Sequence, residues 1–197
     1  MGALRGVIVL VLALAMPAPV LAADFQASLD AYNRKDYATA LKEWRPLAEQ
    51  GHAEAQFHLA ALYEEGWGVA PNYAEAAKWY RLAVDQGYAG AQLYLGFCYR
   101  NGWLVPQDRA EAAKWYRRAA EQGDDIAPLH LAAMYGRGEG VTRDYVQAHM
   151  WSIIASSRLS PGEDRDGAVR NRYIVEGEMT PEQIAEAQRL AREWKPK

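Results

Sequence analysis

The chain reads as an all-α solenoid of stacked antiparallel helix pairs closed by a C-terminal helical cap. Three observations predict this. The octapeptide Ala-Glu-Ala-Ala-Lys-Trp-Tyr-Arg at residues 74–81 recurs letter for letter at 110–117, an offset of 36 residues. A weaker copy lies at 38–45, and a decayed one at 146–151, on the same period. A fixed period of this length is the mark of a helical repeat, in which each unit buries its apolar face only against its neighbours. No stretch alternates apolar and polar residues as a half-buried strand would.

The elements follow in order. Residues 1–22 read as a secretory signal: Arg5, an apolar run at 7–16, Pro17 and Pro19, then Val20-Leu21-Ala22 with cleavage expected after Ala22. Ten to fifteen apolar residues fall short of the ~20 that a membrane-crossing helix needs, so no stable insertion is expected after cleavage. The expected location is outside the cytoplasm, in the periplasm first and in the medium second. Residues 23–52 form an atypical helix pair, with Phe25, Leu29 and Tyr32 in its first helix and Tyr37, Ala40, Leu41, Trp44 and Leu47 in its second. Residues 53–88 and 89–124 are full repeats, identical at roughly half of their positions. Ala55, Leu59 and Tyr63, echoed by Ala91, Leu95 and Tyr99, form the buried stripe of each first helix. Gly66 and Gly102 stop those helices, and Val69 and Val105 turn the chain back. Asn72 and Asp108 cap the second helices, whose stripe is Tyr73, Ala76, Ala77, Tyr80 and Ala83.

Residues 125–160 make a divergent third repeat. Its first helix keeps Ala127, Leu131 and Tyr135, while His149, Ser152 and Ile153 alter the second. Met150, Trp151, Ile153 and Ile154 make that helix more apolar, so a further element is expected over it. Residues 161–197 supply two helices to do this. In the second, Thr180, Pro181 and Gln183 form an N-cap and capping box ahead of Ile184, Ala187, Leu190, Ala191 and Trp194.

These positions resemble the Sel1-like repeat, a relative of the tetratricopeptide repeat: Ala-x-Ala-x-x-x-Leu-Gly/Ala-x-x-Tyr-x-x-Gly-x-Gly-Val, then Ala-x-x-Trp-Tyr-x-x-Ala-x-x-Gly. The pattern runs over 53–87, 89–123 and 125 to about 159. Leu104 departs from it where a second turn glycine is expected, and the third repeat lacks the second-helix Tyr and the terminal Gly. The resemblance implies a right-handed α-solenoid that acts as an adaptor or scaffold between proteins, without catalysis of its own.

The chemistry-bearing residues agree with that expectation. The formal charge of −3, with acidic and basic residues interspersed, gives no footprint for nucleic acid. His52, His58, His130 and His149 lack metal-ligand spacing, and no cofactor is expected. Gly136-x-Gly138-x-Gly140 is the repeat turn, since no strand precedes it as a dinucleotide site requires. Cys98 stands alone, so no intramolecular bridge can form. It occupies the position of Leu62 and Met134 and is expected to be a small buried hydrophobe. Paired cysteines in each repeat mark the cysteine-rich proteins of this type that are linked to cell-wall chemistry. The single Cys98 therefore argues against the alternative, a cell-envelope hydrolase or glycan-binding protein.

First helices of helical solenoids line the concave face. The expected partner surface there is Phe57, His58, Ala61, Tyr94, Phe97, Arg100, Asn101, His130, Ala133 and Arg137. Aromatic anchors beside arginine suit a protein or peptide partner. The opposing expectation is that the rings only pack against the adjacent repeat. Trp67 and Trp103 are either a second contact edge or covers for the turn glycines. Homo-oligomerisation through an uncapped end is left open.

Overall fold

A computed structural model describes residues 25–197 of the chain. The expected signal segment lies outside the described residues. Ten helices follow: α1 Phe25–Asn33, α2 Tyr37–Glu49, α3 Ala53–Glu65, α4 Tyr73–Asp85, α5 Ala89–Asn101, α6 Arg109–Glu121, α7 Ala127–Arg137, α8 Tyr145–Arg158, α9 Glu163–Glu176 and α10 Pro181–Glu193. No strand occurs among the described residues. Consecutive helices pair from α1·α2 through α7·α8, and each pair stacks on the next.

The period is visible in the caps. Asp36, Asn72, Asp108 and Asp144 stand 36 residues apart, and each side chain accepts a backbone N–H in the first turn of a second helix. A side-chain oxygen there satisfies a donor that the helix cannot, worth ~1 kcal/mol apiece. Thr180 and Gln183 complete the expected capping box of α10.

The third second helix, α8, is the most enclosed. Ala148, His149, Met150, Trp151, Ser152, Ile154 and Ala155 are all buried in it. Both α9 and α10 pack on it, as its apolar composition predicts. His149 Nε2 lies 2.7 Å from Glu176 of α9, and Asn171 donates to Ser152 Oγ at 2.8 Å. Trp194, at the C-cap of α10, meets Trp151 edge-on at 5.5 Å.

Buried apolar residues form two clusters rather than one. The first joins Ala31, Ala40 and Trp44 to Leu59, Leu62, Tyr63 and Tyr80, in α1–α4. The second joins Ala112 and Tyr116 to Leu131, Met134, Trp151 and Ala187, in α6–α8 and α10. They meet at α5, where Leu95 and Tyr99 are only half-buried, unlike Leu59 and Tyr63. Two expected stripe residues of α4 also depart from expectation. Tyr73 is 61% exposed, and Ala77 faces solvent. The physical reason lies in the next turn.

Gly68 and Gly140 occupy equivalent turn positions in the first and third repeats, at φ 72° and 71°. A Cβ on Gly68 would fall 2.8 Å from the Tyr37 carbonyl, and one on Gly140 would fall 2.3 Å from that of Arg109. Both turns therefore press their backbone against the first residue of the second helix in the pair before. The second repeat places Leu104 there, at φ 58° and 49% exposed. A side chain of that size cannot enter the same contact. The turn stands off α4, leaving Tyr73 uncovered.

Candidate functional site

Three of the expected partner residues serve the junctions between repeats. His58 stacks on Trp44 at 4.7 Å, Tyr94 on Tyr80 at 4.4 Å, and His130 on Tyr116 at 4.7 Å, with interplanar angles of 14°, 28° and 22°. Each pair joins a second helix to the next first helix, and the pairs repeat every 36 residues. Such ring pairs add ~1 kcal/mol beyond the area they bury. The packing expectation describes these three rings. Their sequence signal was available, since positions 44, 80 and 116 and positions 58, 94 and 130 are aromatic on one period.

Phe57 belongs with them. It lies 5.6 Å from Tyr80, 5.5 Å from Tyr88 and 6.4 Å from Tyr94. Glu64 completes this cluster by accepting hydrogen bonds from both the Tyr80 hydroxyl, at 2.8 Å, and the Tyr94 hydroxyl. Burial pushes both phenols up, and each also interacts with the Glu64 carboxylate.

Burial holds His58 at about 4, and holds His130 at about 4 with Arg100 adding to the effect and Asp164 opposing it. The folded state thus binds these protons more weakly than an ordinary imidazole of 6.5. Stability from the neutral rings is complete above pH 6.5 and is lost as pH falls toward 4. Melting curves at pH 7 and pH 4.5 should show the native chain losing several degrees more than a His58→Phe/His130→Tyr variant. Equal losses would exclude the two rings as the cause.

The remaining expected residues form a more open surface. Phe97 meets Trp103 edge-on at 5.3 Å, and Trp103 is 55% exposed. Ala61 and Ala133 hold the Phe97 position in the neighbouring first helices and are partly buried. Asn101 is exposed and donates to the Phe97 carbonyl at 2.9 Å. Arg100 and Arg137 both approach Glu139, at 3.8 and 3.6 Å. Trp67 covers its turn, stacking on Tyr37 at 4.9 Å, whereas Trp103 does not. Ion pairs this long and partly open to solvent contribute under ~1 kcal/mol.

A second feature escaped the sequence reading. A cleft of about 500 Å³ opens between repeats 1 and 2. Ala77, Arg81, Val84 and Asp85 of α4 form one wall, Leu95, Cys98 and Tyr99 of α5 line it, and Leu104, Val105 and Trp115 complete it. Cys98 is buried as expected, and burial pushes its thiol up to about 11. That favours the thiol over the nucleophilic thiolate. Among the described residues no cluster of His, Cys, Asp and Glu could hold a metal ion, and no helix is long and apolar enough to cross a membrane.

Helices stacked in pairs on a 36-residue period define a helical-repeat solenoid. The Sel1 repeat family model matches residues 53–88, 89–124 and 129–158, and the chain belongs to that family. Sel1 repeats generally mediate protein–protein interaction, and the family typically supplies scaffolds rather than enzymes. Among solved structures, the chain is similar to a Sel1 repeat protein from Oxalobacter formigenes, with 32% identity and a TM-score of 0.62 over 68% of this chain and 98% of that one. It is also similar to a protective antigen present in uropathogenic Escherichia coli strains that displays an SLR fold. That match has 33% identity and a TM-score of 0.55, over 78% of this chain and 40% of the antigen. No curated protein matches the chain.

Proposed function

We propose that this chain is an exported, non-enzymatic adaptor that binds a protein or peptide partner on the face shared by its first helices. The carrying observation is the Phe97–Trp103 pair, with Trp103 55% exposed just after Arg100 and Asn101. A large ring kept partly in water, with arginine close by in sequence, is what a binding hot spot requires before a partner covers it. Phe57, His58, Tyr94 and His130 support this surface from the repeat junctions beneath. Export rests on the character of residues 1–22, which place an apolar run ahead of Val20-Leu21-Ala22. The periplasm is the proposed location.

The test is capture from cell-envelope extract by the mature chain beside a Phe97→Ala/Trp103→Ala variant of equal helicity. Phe57→Ala is unsuitable, because that ring packs on three tyrosines. A partner retained by the mature chain and lost by the variant supports the reading. Equal retention removes this face from it. Sequencing of the exported protein should begin at Ala23, and a start at Met1 would refute cleavage.

A further inference from the structure

We propose that the cleft between repeats 1 and 2 is a second binding site, for a peptide segment that carries one large apolar side chain beside one carboxylate. Two contacts close both flanking junctions, a third closes the one before, and all three are absent here. The first is the glycine turn seated on the preceding second helix, present at Gly68 and Gly140 and replaced by Leu104. The second is an arginine–tyrosine hydrogen bond. Arg45 donates to Tyr63 at 2.7 Å, and Arg117 donates to Tyr135. Their equivalents Arg81 and Tyr99 both line the cleft and make no such bond among the described residues. The third is the Tyr37–Trp67 stack at 4.9 Å, whose equivalents Tyr73 and Trp103 remain 61% and 55% exposed.

The missing contacts define what the cleft would take. Arg81 and Tyr99 both line the cleft and both carry hydrogen-bond donors, which suit a carboxylate acceptor. Val84, Leu95, Val105 and Trp115 offer the space to an apolar side chain. Cys98, smaller than the Leu62 and Met134 of the other repeats, enlarges it. Asp85 lies one turn from Arg81 on the same wall, so a run of acidic residues is disfavoured and one carboxylate is selected. The Tyr80–Tyr94 stack, hydrogen-bonded to Glu64, pins the seam so that the two repeats stay joined while the cleft is open. The inference rests on the adaptor reading only in taking a peptide as ligand; the surface is a different one.

The probe is a fluorescein-labelled octapeptide of glycine and serine with Phe-Glu at its centre, accompanied by Glu-Phe, Phe-Gln and Ala-Glu versions. Fluorescence anisotropy with the mature chain should show saturable binding of Phe-Glu or Glu-Phe, weakened roughly tenfold or more when the carboxylate becomes an amide. Arg81→Gln and Tyr99→Phe should each weaken it, and Leu104→Gly should abolish it by letting the turn close. No saturable binding of either order to the mature chain would overturn the proposal. Binding indifferent to Phe-Gln, Arg81→Gln and Leu104→Gly would do the same. An envelope partner captured equally by Leu104→Gly but lost by Phe97→Ala/Trp103→Ala supports the adaptor reading and gives the cleft no part in holding that partner. Failure of the capture experiment with peptide binding intact would instead support the cleft and count against the adaptor reading.

Discussion

Replacing Gly140 by leucine should open the junction between repeats 2 and 3 and lower the melting temperature by roughly 10 °C. A Cβ at Gly140 lies 2.3 Å from the Arg109 carbonyl, well inside any real contact, so the turn must lift from α6. The backbone sits at φ 71°, where an L side chain costs ~1–2 kcal/mol. Lifting the turn also strains the Arg117–Tyr135 hydrogen bond and the cover over the buried Met134 and Trp151. Together these reach ~3 kcal/mol, and a chain of this size loses about 2–4 °C per kcal/mol. The reverse change, Leu104→Gly, should raise the melting temperature by a few degrees, because it removes the φ 58° penalty and lets the seam close. Calorimetry on the two variants decides the matter. Equal melting of Gly140→Leu and the native chain would show that the turn has room, and would remove Leu104 as the cause of the cleft.

The helix pairs, their N-caps at Asn72 and Asp108 and the burial of Cys98 were legible because each depends on residues close in sequence or on one period. Leu104 was visible as a departure from the repeat. Its consequence was not, because the residue that it displaces belongs to the preceding pair: the backbone of α4 near Tyr73. Tyr73 and Ala77 are exposed, and Arg81 and Tyr99 lack the hydrogen bond that their equivalents make, at the one junction where that contact is missing. Helical spacing assigns Tyr73 and Ala77 to the buried stripe because it reports which face a residue shares, not whether a neighbour arrives to cover it. His58, Tyr94 and His130 show the converse. On a lone helix they occupy an outward face, and the ring 14 residues earlier turns that face into a junction.

The divided core carries a further expectation. Trp44 is 0% exposed in the cluster of α1–α4, and Trp151 is 1% exposed in the cluster of α6–α8 and α10. Truncating either to alanine should cost ~3–5 kcal/mol, the usual loss for a fully buried large ring. In a globular core that cost spreads over the whole molecule. In a solenoid each repeat contacts only its neighbours, so stability is a sum of local terms and interfaces. The interface between α4 and α5 is smaller than those between α2 and α3 and between α6 and α7. Trp44→Ala should therefore accelerate amide exchange in α2 and α3 while α7 and α8 keep their protection, and Trp151→Ala should do the opposite. The stack of Tyr80 on Tyr94 is one of the ties that remain, beside the Tyr94–Glu64 hydrogen bond, and its loss in Tyr80→Ala should deepen the separation in both variants. Uniform acceleration in either tryptophan variant would mean that one cooperative unit spans the seam. The cleft would then be a surface furrow over a continuous core. Local acceleration would mean that the two halves are joined mainly at Glu64, Tyr80 and Tyr94, and that whatever enters the cleft supplies the interface the sequence omits.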